Sequence, residues 1–176
     1  VGVVTGAHGS LQIMASRVAL RHRYSETPEL IQRVLTDPTY LRAKLRAVGG
    51  PRAELVSHEQ DERGVTIVLQ QAVPEDALPP FLRAMLPNDL TIHRTETWTS
   101  SGGRVHAVVD GAPGTVTGAM RFTSDPAGCV LDAQLTATVE LPLIGGQVEK
   151  VIADSVSRLM ETEYRFTLGW LRNPTV

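Results

Sequence analysis

Hydrophobic and polar residues alternate along seven segments of the chain, and such alternation predicts β-strands that bury one face. The segments are 17–24, 52–60, 64–71, 89–99, 104–110, 114–123 and 128–141. The last is the longest, because every second residue from Cys129 to Leu141 is apolar while most of the residues between them are polar. We therefore expect a long strand there, with one dry face and one wet face.

Helical signals stand between these segments and after them. Thr27-Pro28 and Asp37-Pro38 each place an oxygen-bearing capping residue before a proline, which favours the start of a helix. The sequence Gly49-Gly50-Pro51 ends the second of these helices. A proline-rich insert at 74–88 contains a short amphipathic helix, and 147–172 predicts one long C-terminal helix.

The predicted order is β-α-α-β-β-β-β-β-β-α, which is an α+β arrangement of one antiparallel sheet whose dry face is covered by the C-terminal helix. We expect one domain over 15–173 and a disordered extension or cloning remnant over 1–14, with Met14 as the natural start. The central apolar stripe predicted for the long helix consists of Val148, Ile152, Ser155, Leu159, Thr162, Phe166 and Trp170.

The composition excludes several classes of protein. A single cysteine among 176 residues rules out a disulfide framework and a four-cysteine zinc site, and the net charge of −2 gives no general case for nucleic-acid binding. No apolar run approaches the roughly 20 residues that span a bilayer. The charge is uneven, because 17–52 holds eight basic and three acidic residues. Without an export signal or a disulfide, we expect a cytoplasmic protein.

Four short strings carry a resemblance to a known family: 24–28, the sequence DPTY at 37–40, ETW at 96–98 and, most specifically, LPLIGGQVEK at 141–150. Over about residues 15–172 the chain resembles the helix-grip fold of the START-like (SRPBCC) superfamily, which includes polyketide cyclases and lipid-transfer domains. Within it the chain is most similar to an uncharacterised actinobacterial family, domain of unknown function 2505. The resemblance implies a seven-stranded sheet wrapped around the long helix, with a cavity between them that commonly takes apolar ligands.

Two charged residues fall on the predicted inward face. If 100–103 is a four-residue hairpin loop, Trp98 pairs with Val105, and Arg94 and Glu96 then point toward the cavity. Buried charges must be paired or reach water. They are therefore an internal ion pair, or they reach solvent at the cavity mouth, or Arg94 anchors a ligand carboxylate, phosphate or carbonyl while Glu96 holds it.

The expected ligand-binding residues share the inward faces of the strands and the long helix: Tyr24, Ile67, Leu69, Ile92, Arg94, Glu96, Trp98, Met120, Phe122, Leu135, Ile152, Leu159 and Phe166. His22 and Tyr24 are either hydrogen-bonded core residues or an acid–base pair. In the insert, Phe81, Leu82 and Met85 are expected to form a lid. The alternatives for the insert are a surface helix that shields a sheet edge and a transient contact with a membrane.

These observations favour a non-catalytic binding or carrier protein for a small apolar ligand, such as a lipid, isoprenoid or polyketide-like molecule. We assign no catalytic residue, cofactor or metal, and no nucleic-acid partner; His58-Glu59 begins like a zincin motif, but Glu62 stands where the second histidine is required. One alternative is a cyclase, dehydratase or hydrolase that uses His22, Tyr24 or Glu96. Another is a protein-interaction domain that uses the basic surface of the two short helices, including Arg42 and Arg46.

Overall fold

A computed structural model describes residues 15–72, 80–84, 90–140 and 144–173. The described part of the chain confirms the α+β class and the predicted order of elements, with one four-residue helix in the insert. The elements are β1 (Ala15–Tyr24), α1 (Pro28–Thr36), α2 (Pro38–Val48), β2 (Glu54–Asp61), β3 (Gly64–Ala72), α3 (Pro80–Arg83), β4 (Thr91–Thr99), β5 (Gly102–Val109), β6 (Thr115–Asp125), β7 (Gly128–Thr138) and α4 (Gly145–Arg172).

The seven strands form one antiparallel sheet in the order β1-β7-β6-β5-β4-β3-β2. The first strand therefore lies beside the last one, and the other strands follow as consecutive hairpins. Helices α1 and α2 connect β1 at one edge of the sheet to β2 at the other. Helix α4 contacts β1, β7 and α2, so that it covers the inward face of the sheet.

The predicted starts of α1 and α2 are confirmed by their caps. Thr27 Oγ1 accepts a hydrogen bond from Leu30 N at 3.4 Å. Asp37 Oδ1 accepts from Thr39 N at 2.8 Å and from Tyr40 N at 2.9 Å. Each cap satisfies backbone donors that the first turn of a helix leaves without partners, and a proline follows each cap at the first helical position.

The alternation predicted for the last strand is confirmed over its described residues. The side chains that share its inward face are buried: Cys129, Leu131, Ala133, Leu135 and Ala137, followed by Val139 just after the strand. Cys129 is a free thiol that is 1% exposed, so it packs as a small hydrophobic residue. Leu141, the predicted end of the alternation, lies outside the described residues.

The predicted register of the β4–β5 hairpin is wrong by two residues. Trp98 pairs with Gly103 instead of Val105, and Glu96 pairs with Val105. The cause is a two-residue turn, because Gly102 and Gly103 belong to β5 instead of the loop. Since side chains alternate with a period of two, this shift leaves every inward residue on the inward face.

The most buried line of α4 lies about one residue away from the predicted stripe. Val148 of the predicted stripe is buried, but the other buried residues are Gly145, Glu149, Ala153, Met160, Glu163 and Thr167, and Leu159, Phe166 and Trp170 are only partly buried. The buried line packs against the sheet and α2. Glu149 fixes the start of the helix to the end of β7, because its Oε1 accepts a hydrogen bond from Val139 N at 2.9 Å.

The insert contains helix α3, which is only four residues long, Pro80–Arg83. Phe81 is 42% exposed. The side chain of Leu82, all of Met85, and residues 73–79 lie outside the described part of the chain. The lid assigned to Phe81, Leu82 and Met85 therefore stays a prediction.

Candidate functional site

A pocket of about 630 Å³ lies between the sheet and α4. Apolar side chains from both layers make up most of its wall: Leu90, Ile92, Val105, Val109, Val116, Leu135, Val148, Ile152, Val156 and Leu159. The pocket explains the partial exposure of the predicted α4 stripe, because Ile152, Ser155 and Leu159 face this space instead of packed atoms.

Polar groups on the wall are few. Ser155, Arg158 and Thr162 come from α4, and of these Arg158 and Thr162 are exposed. Among the described lining residues, Gln71 and Arg94 are the two polar ones that are buried. An apolar wall with a small number of placed polar groups is typical of sites that bind small molecules.

A second pocket, of about 40 Å³, adjoins the first. Arg94 and Met160 line both pockets, so they stand at the boundary between them. Of the residues predicted to bind ligand, the small pocket is lined by Tyr24, Arg94, Glu96, Trp98 and Met120. The large pocket is lined by Ile92, Arg94, Leu135, Ile152 and Leu159.

Of the other residues predicted to bind ligand, two lie in the core and two are partly buried against it, away from the described walls of both pockets. Ile67 and Leu69 are fully buried in the core cluster. The ring of Phe122 packs at 6.1 Å from that of Trp98. Phe166 packs against Tyr40, with 5.8 Å between ring centroids.

Arg94 is the centre of a buried network of charged side chains. Its Nη2 lies 2.6 Å from Glu96 Oε1, and its Nη1 lies 2.9 Å from Glu163 Oε1. Lys44 Nζ lies 3.2 Å from the other oxygen of Glu163. Trp98 Nε1 donates to Glu96 Oε2 at 2.8 Å. Arg94 and Glu96 therefore form an internal ion pair, which was one of the predicted alternatives. The buried network also includes Lys44 on α2 and Glu163 on α4.

Electrostatics keep Glu163 and Arg94 of this network charged. Burial by itself raises the pKa of Glu163, but the charges of Arg94 and Lys44 outweigh it and lower the pKa to about 2. Burial also lowers the pKa of Arg94, and the carboxylates of Glu163 and Glu96 outweigh it and raise the pKa above its ordinary value. With two cations and two anions, the network of Lys44, Arg94, Glu96 and Glu163 is neutral overall.

A short hydroxyl chain extends the network toward α2. Thr167 Oγ1 donates to the backbone oxygen of Glu163 at 2.8 Å, and Tyr40 OH lies 2.7 Å from Thr167 Oγ1. Since the single hydroxyl proton of Thr167 is used, Tyr40 is the donor in that contact. Burial raises the pKa of Tyr40 well above its ordinary value of 10, which keeps the phenol protonated.

His22 and Tyr24 sit at the small pocket as packed aromatic residues. The ring of His22 stacks on Tyr164 with 4.2 Å between centroids, and Tyr24 meets the same tyrosine edge-on. Burial lowers the pKa of His22 despite Glu161, whose Oε2 is 3.6 Å from Nε2. Burial raises the pKa of Tyr24 above its ordinary value. Both groups are therefore held neutral at pH 7.

Three residues of the site were not predicted from the sequence, although two of them lie in patterns that could have indicated them. Gln71 continues the inward alternation of Ile67 and Leu69 by one more step. Lys44 lies one turn from Tyr40, in the middle of the apolar stripe of α2. Glu163 could not have been predicted in this way. The sequence of α4 does not show which of its faces packs against the core and which lines the pocket.

Two kinds of feature are absent from the described ranges. No group of three or more His, Cys, Asp or Glu side chains there is placed to hold a metal ion. No helix within those ranges is both long enough and apolar enough to cross a membrane.

Comparisons with known proteins agree with this architecture. The model of a family described as "Protein of unknown function (DUF2505)" matches residues 19–171. An uncharacterised protein of Mycobacterium tuberculosis is 28% identical over 163 residues, which cover 85% of this chain and 93% of that protein.

Solved structures share the fold at low sequence identity. The protein TTHA0849 from Thermus thermophilus superposes with a TM-score of 0.59 at 17% identity, covering 88% of this chain and 98% of that one. The Zhui aromatase/cyclase from a Streptomyces species superposes with a TM-score of 0.55 at 11% identity, covering 90% of this chain and 93% of that one. These likenesses establish a helix-grip fold.

Proposed function

The chain belongs to the DUF2505 family of proteins of unknown function, and we propose that it binds or carries a small apolar ligand without changing it chemically. The ligand class is a lipid, an isoprenoid or a polyketide-like molecule. The observation that carries the proposal is the pocket of about 630 Å³ between the sheet and α4. Its volume lies within the range of about 300–1,000 Å³ that is usual for small-molecule sites.

The wall of the pocket supports an apolar ligand. Ile92 and Val109 on the sheet face Ile152 and Leu159 on the helix across the pocket. Removing apolar surface from water contributes about 25 cal/mol per Å² on each partner. A hydrophobic chain or ring system that fills the space therefore gains affinity from both layers at once.

The contacts and protonation of the titratable groups near the pockets favour ligand binding over catalysis. Both oxygens of Glu96 already face partners, Arg94 and Trp98. Burial keeps Tyr24 protonated, and His22 is packed against Tyr164 at the small pocket. A general base needs an acceptor within reach of the reacting atom, and none of these three residues lines the described wall of the large pocket.

Native mass spectrometry of the purified full chain, followed by solvent extraction, tests the proposal. We expect a bound small molecule in the unmodified protein and uptake of the apolar dye Nile red after extraction. Ala107→Phe places a ring in the pocket and is expected to abolish both signals, since Ala107 is on its wall. His106→Phe is the matched control, because His106 is the neighbouring residue on β5 and is exposed on the other face.

Two results would overturn the proposal. One is an unmodified protein that yields no extractable molecule and does not bind Nile red. The other is equal binding by Ala107→Phe and by His106→Phe when circular dichroism shows both variants folded. Either result would mean that the space between sheet and helix does not receive a ligand.

A further inference from the structure

Gln71 is a buried amide whose oxygen lacks a hydrogen-bond partner. It is the next-to-last residue of β3, its side chain faces inward, and the residue is 2% exposed. Its Oε1 has no hydrogen-bond partner among the described residues, although the residue lines the large pocket. Buried polar side-chain atoms are rarely left in this state. Oε1 itself has almost no accessible surface, and rotation of the amide about its terminal side-chain torsion, which is broad, turns this oxygen toward a ligand in the pocket.

The pairing of strands places Gln71 near Arg94 on the wall of the large pocket. Gln71 lies opposite Ile92 on the neighbouring strand, and Arg94 is two residues further along that strand on the same face. Such diagonal neighbours are typically about 7–8 Å apart. A ligand whose polar group reaches Gln71 therefore has its apolar body among Ile92, Val109 and the α4 side chains.

The charge state near Arg94 decides which polar group fits. Arg94 is already paired with Glu96 and Glu163, and Lys44 completes a neutral network. A ligand carboxylate or phosphate placed at Arg94 would meet two carboxylates and would leave a net negative charge in a buried site, which is costly. An uncharged group meets no such penalty. The charge balance therefore disfavours the carboxylate and the phosphate among the three groups that Arg94 was predicted to anchor, and it leaves the uncharged carbonyl open.

We propose that Gln71 is the specificity-determining residue of the large pocket and that it selects an uncharged apolar molecule bearing a hydroxyl group. The inference rests on the proposed function and adds the chemical class of the ligand. The hydroxyl donates to Gln71 Oε1, and no charged head group enters the pocket. The exposed Arg158 at the wall is the competing place for an anionic head group.

Three probes with the same ten-carbon chain separate these possibilities: 1-decanol, which can donate a hydrogen bond; decyl methyl ether, which cannot; and decanoate at pH 8, which is anionic. Each is titrated against Nile red bound to the extracted full chain. We expect 1-decanol to bind about five- to tenfold more tightly than the ether, the size of effect that one hydrogen bond supplies. Decanoate should bind more weakly than 1-decanol.

Gln71→Leu removes the amide at similar size, and it should bind 1-decanol and the ether equally. Gln70→Leu is the matched control, because Gln70 is the adjacent residue and its side chain donates to Arg52 O on the outer side. This control should keep the preference for the alcohol. Thermal melting of both variants checks that they are folded.

The outcomes distinguish the inference from the proposed function. If Nile red binds but the unmodified protein shows no preference for 1-decanol, or Gln71→Leu keeps that preference, the inference fails and the proposed function stands. If decanoate binds most tightly and loses this advantage in Arg158→Gln, the ligand is an anion and the inference is wrong. If neither Nile red nor any of the probes binds, both proposals fail together.

Discussion

Arg94 on β4 and Glu163 on α4 form a buried ion pair, with 2.9 Å between Arg94 Nη1 and Glu163 Oε1. Lys44 on α2 binds the second oxygen of the same carboxylate, so Glu163 fastens α4 to the sheet and to another helix. Apolar packing alone would allow α4 to rotate slightly about its axis. Such a rotation would move the Glu163 carboxylate away from Arg94 and Lys44 and would leave buried charges without partners, which is costly. The network therefore favours a single orientation of α4.

Replacing Glu163 with glutamine should destabilise the protein strongly. The variant leaves Lys44 without its carboxylate and Arg94 with only Glu96, and both cations remain buried. Breaking a buried pair in this way typically costs about 3–5 kcal/mol. Urea unfolding followed by circular dichroism measures the loss directly.

Glu161→Gln provides the matched control for that variant. Glu161 is on the same helix and pairs with Arg165 at 3.1 Å, but its side chain is 44% exposed. Exposed pairs of this kind are worth less than about 1 kcal/mol. Equal losses of stability in the two variants would contradict the role assigned to the buried network.

Acid should destabilise the protein in a specific pH window through Glu163. Its pKa is about 2 in the folded protein, against an ordinary value of 4.5. The stabilisation is complete well above pH 4.5, where the carboxyl is ionised in both states, and it is lost as the pH falls through 4.5 toward 2. Carbon-13 NMR of the Glu163 carboxyl should show a midpoint near 2, and a midpoint at or above 4.5 would contradict the predicted pairing.

His22 should make stability depend on pH in a higher range. Burial lowers its pKa below the ordinary 6.5 in the folded protein. As the pH falls through 6.5, the unfolded chain takes up a proton that the folded chain does not, so the free energy of unfolding decreases. His22→Gln should reduce this slope between about pH 7 and 5. A proton NMR titration of His22 with a midpoint above 6.5 would show that the sign is wrong.

The sequence predicted the fold well because each element carried its own local signal. Period-two alternation located the strands, and the capping residues Thr27 and Asp37 located the helix starts. The residues predicted to face inward do so even though the predicted hairpin register is wrong. A two-residue error preserves the alternation of side chains, and a one-residue error would not have done so.

The site was predicted less completely, because its key contacts join residues that are distant in the chain. Arg94 and Glu163 are 69 positions apart, and no periodicity indicates that they meet. Ile152, Leu159 and Phe166 of the α4 stripe were all predicted to face the cavity; Ile152 and Leu159 do line the large pocket, whereas Phe166 packs against Tyr40. From a sequence alone, a helix face that lines a pocket has the same pattern as one that packs tightly.

The corrected hairpin register makes its own prediction at Gly103. A Cβ placed there would lie 2.9 Å from the indole ring of Trp98, and Trp98 is itself 1% exposed and bonded to Glu96. The ring therefore has little freedom to move away. Gly103→Ala should destabilise the protein by about 1–3 kcal/mol, the usual cost of overpacking a core. In the register with Trp98 opposite Val105, the same substitution would lie in a loop and cost little.

Gly169→Ala is the matched control, and its effect should have the opposite sign. Gly169 is an exposed residue of α4, and a Cβ added there meets nothing within 4 Å. Alanine is favoured over glycine within a helix by about 0.5–1 kcal/mol, so this variant should be more stable than the unmodified protein. Urea unfolding of the two alanine variants side by side compares the same chemical change at a filled site and at an open one. A neutral effect at Gly103 would show that Trp98 does not occupy the space above it and that the observed pairing is incorrect.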